Sequence, residues 1–205
     1  MMFKAVRFAI LTLPLLLSGA LAAPVTFTTV PVINDGALPN TATVDSETDF
    51  ENFTGLTHDV RGTLVFDRQA NTGSGMFIIN GASIDTGNAL RNKHMRSVDW
   101  LDFEHQPNIR FVTSAVEHVQ GDQYRVRGQF TLHGVTRMIT VTARLKYSDA
   151  SFVQQTQNIR GNIVALSTTF PVKLSDYGVT NPGIKIGRVN DTLQITLKAL
   201  LSDQH

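Results

Sequence analysis

Residues 123–147 read QYRVRGQFTLHGVTRMITVTARLKY, and their rhythm decides the fold. Tyr124, Val126, Gly128, Phe130 and Leu132 are apolar or small, while Gln123, Arg125, Arg127, Gln129, Thr131 and His133 between them are polar. Side chains alternate across a strand, so this is a β-strand with one dry and one wet face. The continuation repeats the pattern. Val135, Ile139, Val141, Ala143, Leu145 and Tyr147 face one way, and Thr136, Thr140, Thr142, Arg144 and Lys146 the other. Only Gly134, flanked by His133 and Val135, separates the two runs, which forces a tight antiparallel hairpin.

The same period of two extends in both directions. Val60, Leu64 and Phe66 alternate with Arg61, Thr63 and Asp67, and Leu193, Ile195 and Leu197 alternate with Thr192, Gln194, Thr196 and Lys198. Weaker or fully apolar runs lie at 76–79, 109–116 and 159–170, with two more at 26–33 and 42–50. Turn clusters punctuate them at Asn34-Asp35-Gly36, Asn71-Thr72-Gly73, Gln120-Gly121-Asp122 and Asn181-Pro182-Gly183. The expected fold is therefore all-β, with about eight or nine antiparallel strands. That number closes a barrel around a filled core or one small ligand. A two-sheet sandwich predicts the same alternation, so periodicity alone does not choose between them. One stretch breaks the rhythm. Between Asp85 and Leu101, the residues Leu90, His94, Val98 and Leu101 share a helical face, with Ser83 or Asp85 placed to cap its start. This predicts a short helical insert packed over one end of the sheet structure.

The N-terminus reads as a secretory leader. Lys4 and Arg7 form a basic start, an apolar run follows from Phe8 to Leu17, and Ala20-Leu21-Ala22 supplies the small residues of a cleavage site. Cleavage after Ala22 predicts residues 1–22 as signal peptide and 23–205 as one domain. Removing Lys4 and Arg7 from the 18 basic residues leaves 16 against 17 acidic ones, a net charge of −1. That is not the footprint of a nucleic-acid binder, and no later apolar run is long enough for permanent membrane insertion. The chain has no cysteine, which excludes disulfides, thiolate metal sites and a lipid-modified cysteine.

Several ordered segments resemble the YceI family. They are Ser83-Ile84-Asp85-Thr86-Gly87-Asn88, Arg91, His94-Met95-Arg96-Ser97, Asp99-Trp100-Leu101, Pro107-x-Ile109-x-Phe111, the run from Val126 to Arg137, and Leu174-Ser175-Asp176-Tyr177-Gly178-Val179. The resemblance covers most of residues 44–199. It implies a lipocalin-like antiparallel β-barrel with an elongated apolar interior. It also implies binding of polyisoprenoid chains or other long amphiphiles in the periplasm. The chain departs from the family pattern at Ser46-Glu47-Thr48-Asp49, where a His-Ser pair is usual, at Asn92, where Asp is usual, and at Leu174, where Arg is usual.

The expected ligand-binding residues follow from the apolar faces: Phe66, Phe111, Tyr124, Val126, Phe130, Leu132, Ile139, Val141 and Ile195, joined by Arg91, His94 and Arg96 of the insert. Gly62 and Gly128 interrupt inward rows. Their missing side chains either open a hollow or let coiled strands bend at a barrel corner. His94 is either a satisfied core histidine or a ligand contact. Arg91 and Arg96 either meet an anionic headgroup or pin the insert by pairing with Asp85, Asp99 or Asp176. Ser175 and Asp176 are adjacent without a nucleophile-elbow motif, and the six histidines show no metal-ligand spacing. Neither catalytic residues, metal nor cofactor are expected. The expected protein is a periplasmic or secreted carrier that sequesters an isoprenoid-like or fatty-acid-like molecule, as a monomer or a dimer. The alternatives are an envelope interaction barrel with a filled core and, below it, a lipid hydrolase or isomerase.

Overall fold

The structure, a computed structural model, describes residues 23–33, 36–151 and 159–204. The leader expected at residues 1–22 and the Asn34-Asp35 part of the first turn cluster lie outside the described residues. Ten strands appear: β1 (Val25–Thr29), β2 (Thr41–Glu47), β3 (Asn52–Thr57), β4 (Val60–Asp67), β5 (Thr72–Asn80), β6 (Asn108–Gln120), β7 (Gln123–Leu132), β8 (Val135–Ser148), β9 (Ile163–Lys173) and β10 (Thr192–Ser202). Eight of them, β1 and β4 through β10, close into an antiparallel barrel in the order β1-β4-β5-β6-β7-β8-β9-β10, with β1 returning to β10. The remaining two, β2 and β3, form a hairpin that also bonds to β10.

The hairpin at residues 123–147 forms as its rhythm demands. Leu132 pairs with Val135 across a two-residue loop. His133 and Gly134 have φ of 52° and 71°, and a tight loop whose twist matches the strands needs positive φ at both positions. A histidine rarely accepts that conformation. Here its Nδ1 donates to the carbonyl of Tyr177 at 3.0 Å, which fixes the ring. Tyr124, Val126, Gly128, Phe130 and Leu132 are buried, and Gln123, Arg125, Arg127 and Gln129 between them are exposed.

Glycine placement decides against one sequence reading, the hollow. A Cβ on Gly62 would stand 2.3 Å from the Phe77 ring, and one on Gly128 would stand 2.5 Å from the Phe111 ring. The missing side chains do not leave a hollow, because a neighbouring aromatic ring lies across each glycine.

Two stretches differ from expectation. The run at 159–170 starts as a strand only at Ile163, while Ile159 joins Ile163, Val30, Ile33 and Leu200 in a small satellite cluster. The insert contains a helix, α1 (Ala89–Arg96), capped not by Ser83 or Asp85 but by Asn88, whose side chain accepts from Leu90 N at 3.0 Å and Arg91 N at 3.1 Å. The helix is only two turns long and buries none of its residues; of the expected apolar face, Leu90 and Val98 are 62% and 65% exposed, while Leu101 is buried in the core.

Gly62→Ala should lower stability by about 1–3 kcal/mol through overpacking against the Phe77 ring. The same change in a Phe77→Leu background should cost measurably less, read as a non-additive shift in denaturation midpoint. Equal costs in the two backgrounds would show that the ring is not what the glycine accommodates.

Candidate functional site: an apolar cavity at the open end of the barrel

Strand β10 bonds to β2 along Gln194–Lys198 and to β1 only at Leu201 and Ser202. The barrel is thus laced shut at the Ser202 end. At the other end β2 takes over the β10 edge and carries the β2–β3 hairpin, and β3 meets its next neighbour through one bridge, Leu56 to Asp85. A cavity of about 470 Å³ lies there between the barrel, the hairpin and the insert. Its barrel wall is Ile79, Ile109, Leu132, Val172, Leu193 and Ile195; the hairpin adds Ala42, Val44 and Phe53, and the insert adds Ile84, Leu90 and Met95. This size is within the usual range for a small-molecule site.

Polar side chains gather at the rim. The Arg91 guanidinium pairs with Glu51 and lies 4.3 Å from the centre of the Phe53 ring, tying α1 to the hairpin. Asn181 caps the short helix α2 (Pro182–Lys185) by accepting from Gly183 N at 2.8 Å, and its amide donates to the Asp99 carbonyl at 2.9 Å. Trp100 lies over Gly183, 3.0 Å from where a Cβ would stand. The α2 loop and the insert are therefore joined above the cavity. Arg188 and His94 also line the cavity, and no side-chain hydrogen bond or ion pair engages either one among the described residues.

The expected site residues divide into three groups. Leu132, Ile195, Arg91 and His94 line this cavity. Phe66, Phe111, Val126, Phe130 and Val141 lie deeper and line a separate void of about 70 Å³. Tyr124, Ile139 and Arg96 line neither. Tyr124 is buried with its hydroxyl donating to Asn71 Oδ1 at 3.1 Å, and burial raises its pKa. Ile139 packs on the margin of the core. The expected pinning partners also need correction: Arg91 pairs with Glu51, not with Asp85, Asp99 or Asp176. Arg96 keeps a buried Nε without a hydrogen-bond partner, and its charge acts on Asp85. His94 is exposed on the cavity side, so it is not a satisfied core histidine.

The sequence reading missed Ala42, Val44, Phe53 and Arg188. The hairpin strands are short, and β3 shows no apolar alternation because its inward positions include Gly55 and Thr57, while Leu56 points outward. Ser175 and Asp176 do not form a nucleophile pair. The Ser175 hydroxyl donates to Asp191 Oδ2 at 2.8 Å.

The insert is held by a network centred on Asn92. Its Oδ1 accepts from Thr86 N at 2.9 Å and Thr86 Oγ1 at 2.7 Å, and its Nδ2 donates to Asp85 Oδ1 at 2.7 Å. That bond is the main reason the Asp85 carboxyl titrates below its usual 3.8, helped by the Gly87 N–H. A depressed carboxyl stabilises the fold above its unfolded pKa and loses that contribution as pH falls through the lowered folded value. In Asn92→Asp the second carboxylate replaces the amide donor and repels the first, so the Asp85 carboxyl should titrate higher than it does in the wild type. NMR titration of the Asp85 carboxyl should show this, and hydrogen exchange in residues 85–96 should become faster at neutral pH and recover on acidification. An unshifted Asp85 titration in the variant would contradict the network.

With this geometry in view, the similarities to known proteins become informative. The profile of the YceI-like domain matches residues 37–201. A UPF0312 protein of Pectobacterium atrosepticum is 31% identical over 128 residues, covering 62% of each chain. Protein YceI of Escherichia coli O157:H7 is 36% identical over 92 residues, which is 44% of this chain and 48% of that protein. The alignments thus span about half to three-fifths of these relatives' length. Among solved structures, Burkholderia cenocepacia BcnA superposes with a TM-score of 0.68 at 23% identity, over 78% of this chain and 95% of that one. A polyisoprenoid binding domain from Saccharophagus degradans superposes with a TM-score of 0.59 at 15% identity, over 87% and 98%. The barrel, its insert and a family match across four-fifths of the sequence agree: this chain belongs to the YceI-like family.

Proposed function

We propose that the protein is an exported carrier that holds an apolar or amphiphilic molecule in the cavity at the open end of its barrel. The observation that supports this most directly is the cavity itself, apolar in its walls and rimmed by Arg91, Glu51, His94 and Arg188. Such a site suits a molecule with an apolar body and a polar end. Each buried methylene is worth about 0.8 kcal/mol, so a chain of about twelve carbons supplies about 10 kcal/mol before ordering costs. Affinity therefore needs few polar contacts. The structural neighbour from Saccharophagus degradans is described as a polyisoprenoid binding domain, and an apolar chain is what these walls suit. The rival of a wholly filled barrel accounts for the lower half of the interior but not for the open upper half. The enzyme reading lacks a nucleophile and base converging on the cavity among the described residues, since Ser175 and its hydrogen-bond partner Asp191 do not line it.

Export is part of the proposal and rests on the leader pattern at residues 1–22. No helix among the described residues is long and apolar enough to cross a membrane.

Protein purified from a bacterial envelope should release a bound apolar or amphiphilic compound on solvent extraction. Val44→Glu, which places a carboxylate in the cavity wall, should reduce that load at least tenfold while the far-ultraviolet spectrum stays unchanged. A bare wild type whose binding of a fluorescent fatty acid is indifferent to Val44→Glu would refute the carrier. Intact mass of the exported form should begin at Ala23, and a mature form that keeps Phe8 to Leu17 would refute export by cleavage.

A further inference from the structure

Resting on the carrier reading, we propose that a layer of phenylalanines across the middle of the barrel limits the length of chain it accepts. The preferred ligand is then a single-chain amphiphile with about fifteen heavy atoms in its tail, and longer chains are excluded.

The layer is visible in the depth order along each strand. On β7, Leu132 lines the upper cavity while Phe130 lines the lower void; β6 offers Ile109 and then Phe111, and β9 offers Val172 and then Phe170. On β5 the pair is Ile79 and Phe77, and Ile79 is the one residue common to both linings. Cross-strand register sets three of these rings side by side, since Phe111 is paired with both Phe77 and Phe130. The fourth closes the layer: the Phe130 and Phe170 rings meet edge to face with centroids 5.6 Å apart. The Tyr177 ring also meets Phe130 edge to face, with centroids 5.6 Å apart.

These rings are held in place. Phe130 is 1% exposed. Phe77 and Phe111 are seated where Gly62 and Gly128 have no side chain, so each ring is fitted against backbone. Packed interiors yield in discrete rearrangements rather than by gradual swelling. Below the layer only about 70 Å³ is free, against about 470 Å³ above it. At roughly 30 Å³ per small group, the upper space takes about fifteen heavy atoms and the lower about two. A chain of isoprene units much longer than three would leave its end in water.

The test uses the full mature chain, stripped of lipid, with saturated fatty acids of about eight to about twenty-four carbons competing against a fluorescent fatty acid. Affinity should rise roughly fourfold per methylene and stop rising near about sixteen carbons. Phe130→Ala and Phe170→Ala should move that break to longer chains, and Leu132→Phe should move it to shorter ones. Phe170 is only partly buried, so its variant carries the test if Phe130→Ala does not fold. A smooth rise through the longest acids, or a break that none of the folded variants moves, overturns the length limit and leaves the carrier intact. Failure to bind an acid of any length removes the carrier reading and the limit together.

Discussion

Strand β10 offers one free edge to two strands, and much of the molecule follows from how that edge is shared. Its other edge is bonded to β9 along the full eleven residues, from Thr192 to Ser202. The free edge is bonded to β2 from Gln194 to Lys198 and to β1 at Leu201 and Ser202. A backbone donor can serve only one neighbour at a given height, so the two strands divide the edge by height. Asn40 marks the division. Its Oδ1 accepts from Leu200 N at 2.9 Å, and its Nδ2 donates to the Val30 carbonyl at 2.7 Å, filling the step between the two ladders. The barrel therefore closes at one end and parts at the other. The open end is also where the insert and the α2 loop gather.

The same division separates two kinds of interior. An eight-stranded barrel has room for its own side chains or for one slender guest. Here the lower half takes the first course. Phe66 and Tyr124 meet edge to face at 5.8 Å, Phe27 and Leu201 are fully buried, and large rings lie over glycines. A glycine on an inward face then adds to packing instead of subtracting from it, because it lets a ring approach the opposite backbone. In the upper half the barrel's own wall residues are aliphatic, and the hairpin and the insert complete the lining, so the apolar side chains line space.

The barrel strands were legible because most inward side chains are apolar and most outward ones polar, and period two survives in any such strand. The hairpin was not. On β3 the inward positions are Phe53, Gly55 and Thr57, and the Gly55 position is filled by Ile84 from another segment, 2.6 Å from where a Cβ would stand. A pattern completed by a distant residue leaves no local trace. The helix α1 was legible as an insert over one end of the barrel, but not the cavity that Leu90 faces there, because a sequence does not distinguish a wall around space from a wall against protein. The candidate site divided accordingly. Leu132 and Ile195 belong to strands read correctly and fall on the upper cavity. Phe66, Val126 and Val141 belong to equally well-read strands but fall on the filled half, because depth along a barrel is set by strand stagger rather than by which face a residue occupies.

The polar network over the cavity follows from the apolar character beneath it. The helix α1 buries no side chain of its own, so the insert is anchored in the core at its flanks, by Ile84 and Leu101. Along the rest of the segment it is held by side-chain bonds. The insert has these at Asn88, Asn92, Asp85 and Thr86, at Arg91 with Glu51, and at Asp99 with Asn181. Partly solvated pairs of this kind are worth at most about 1 kcal/mol each, far less than a barrel ladder with its buried face. Local opening draws on the least strongly held region first. In the roof that region is the helix between the two buried anchors, whose polar contacts can break individually without disturbing the strands below.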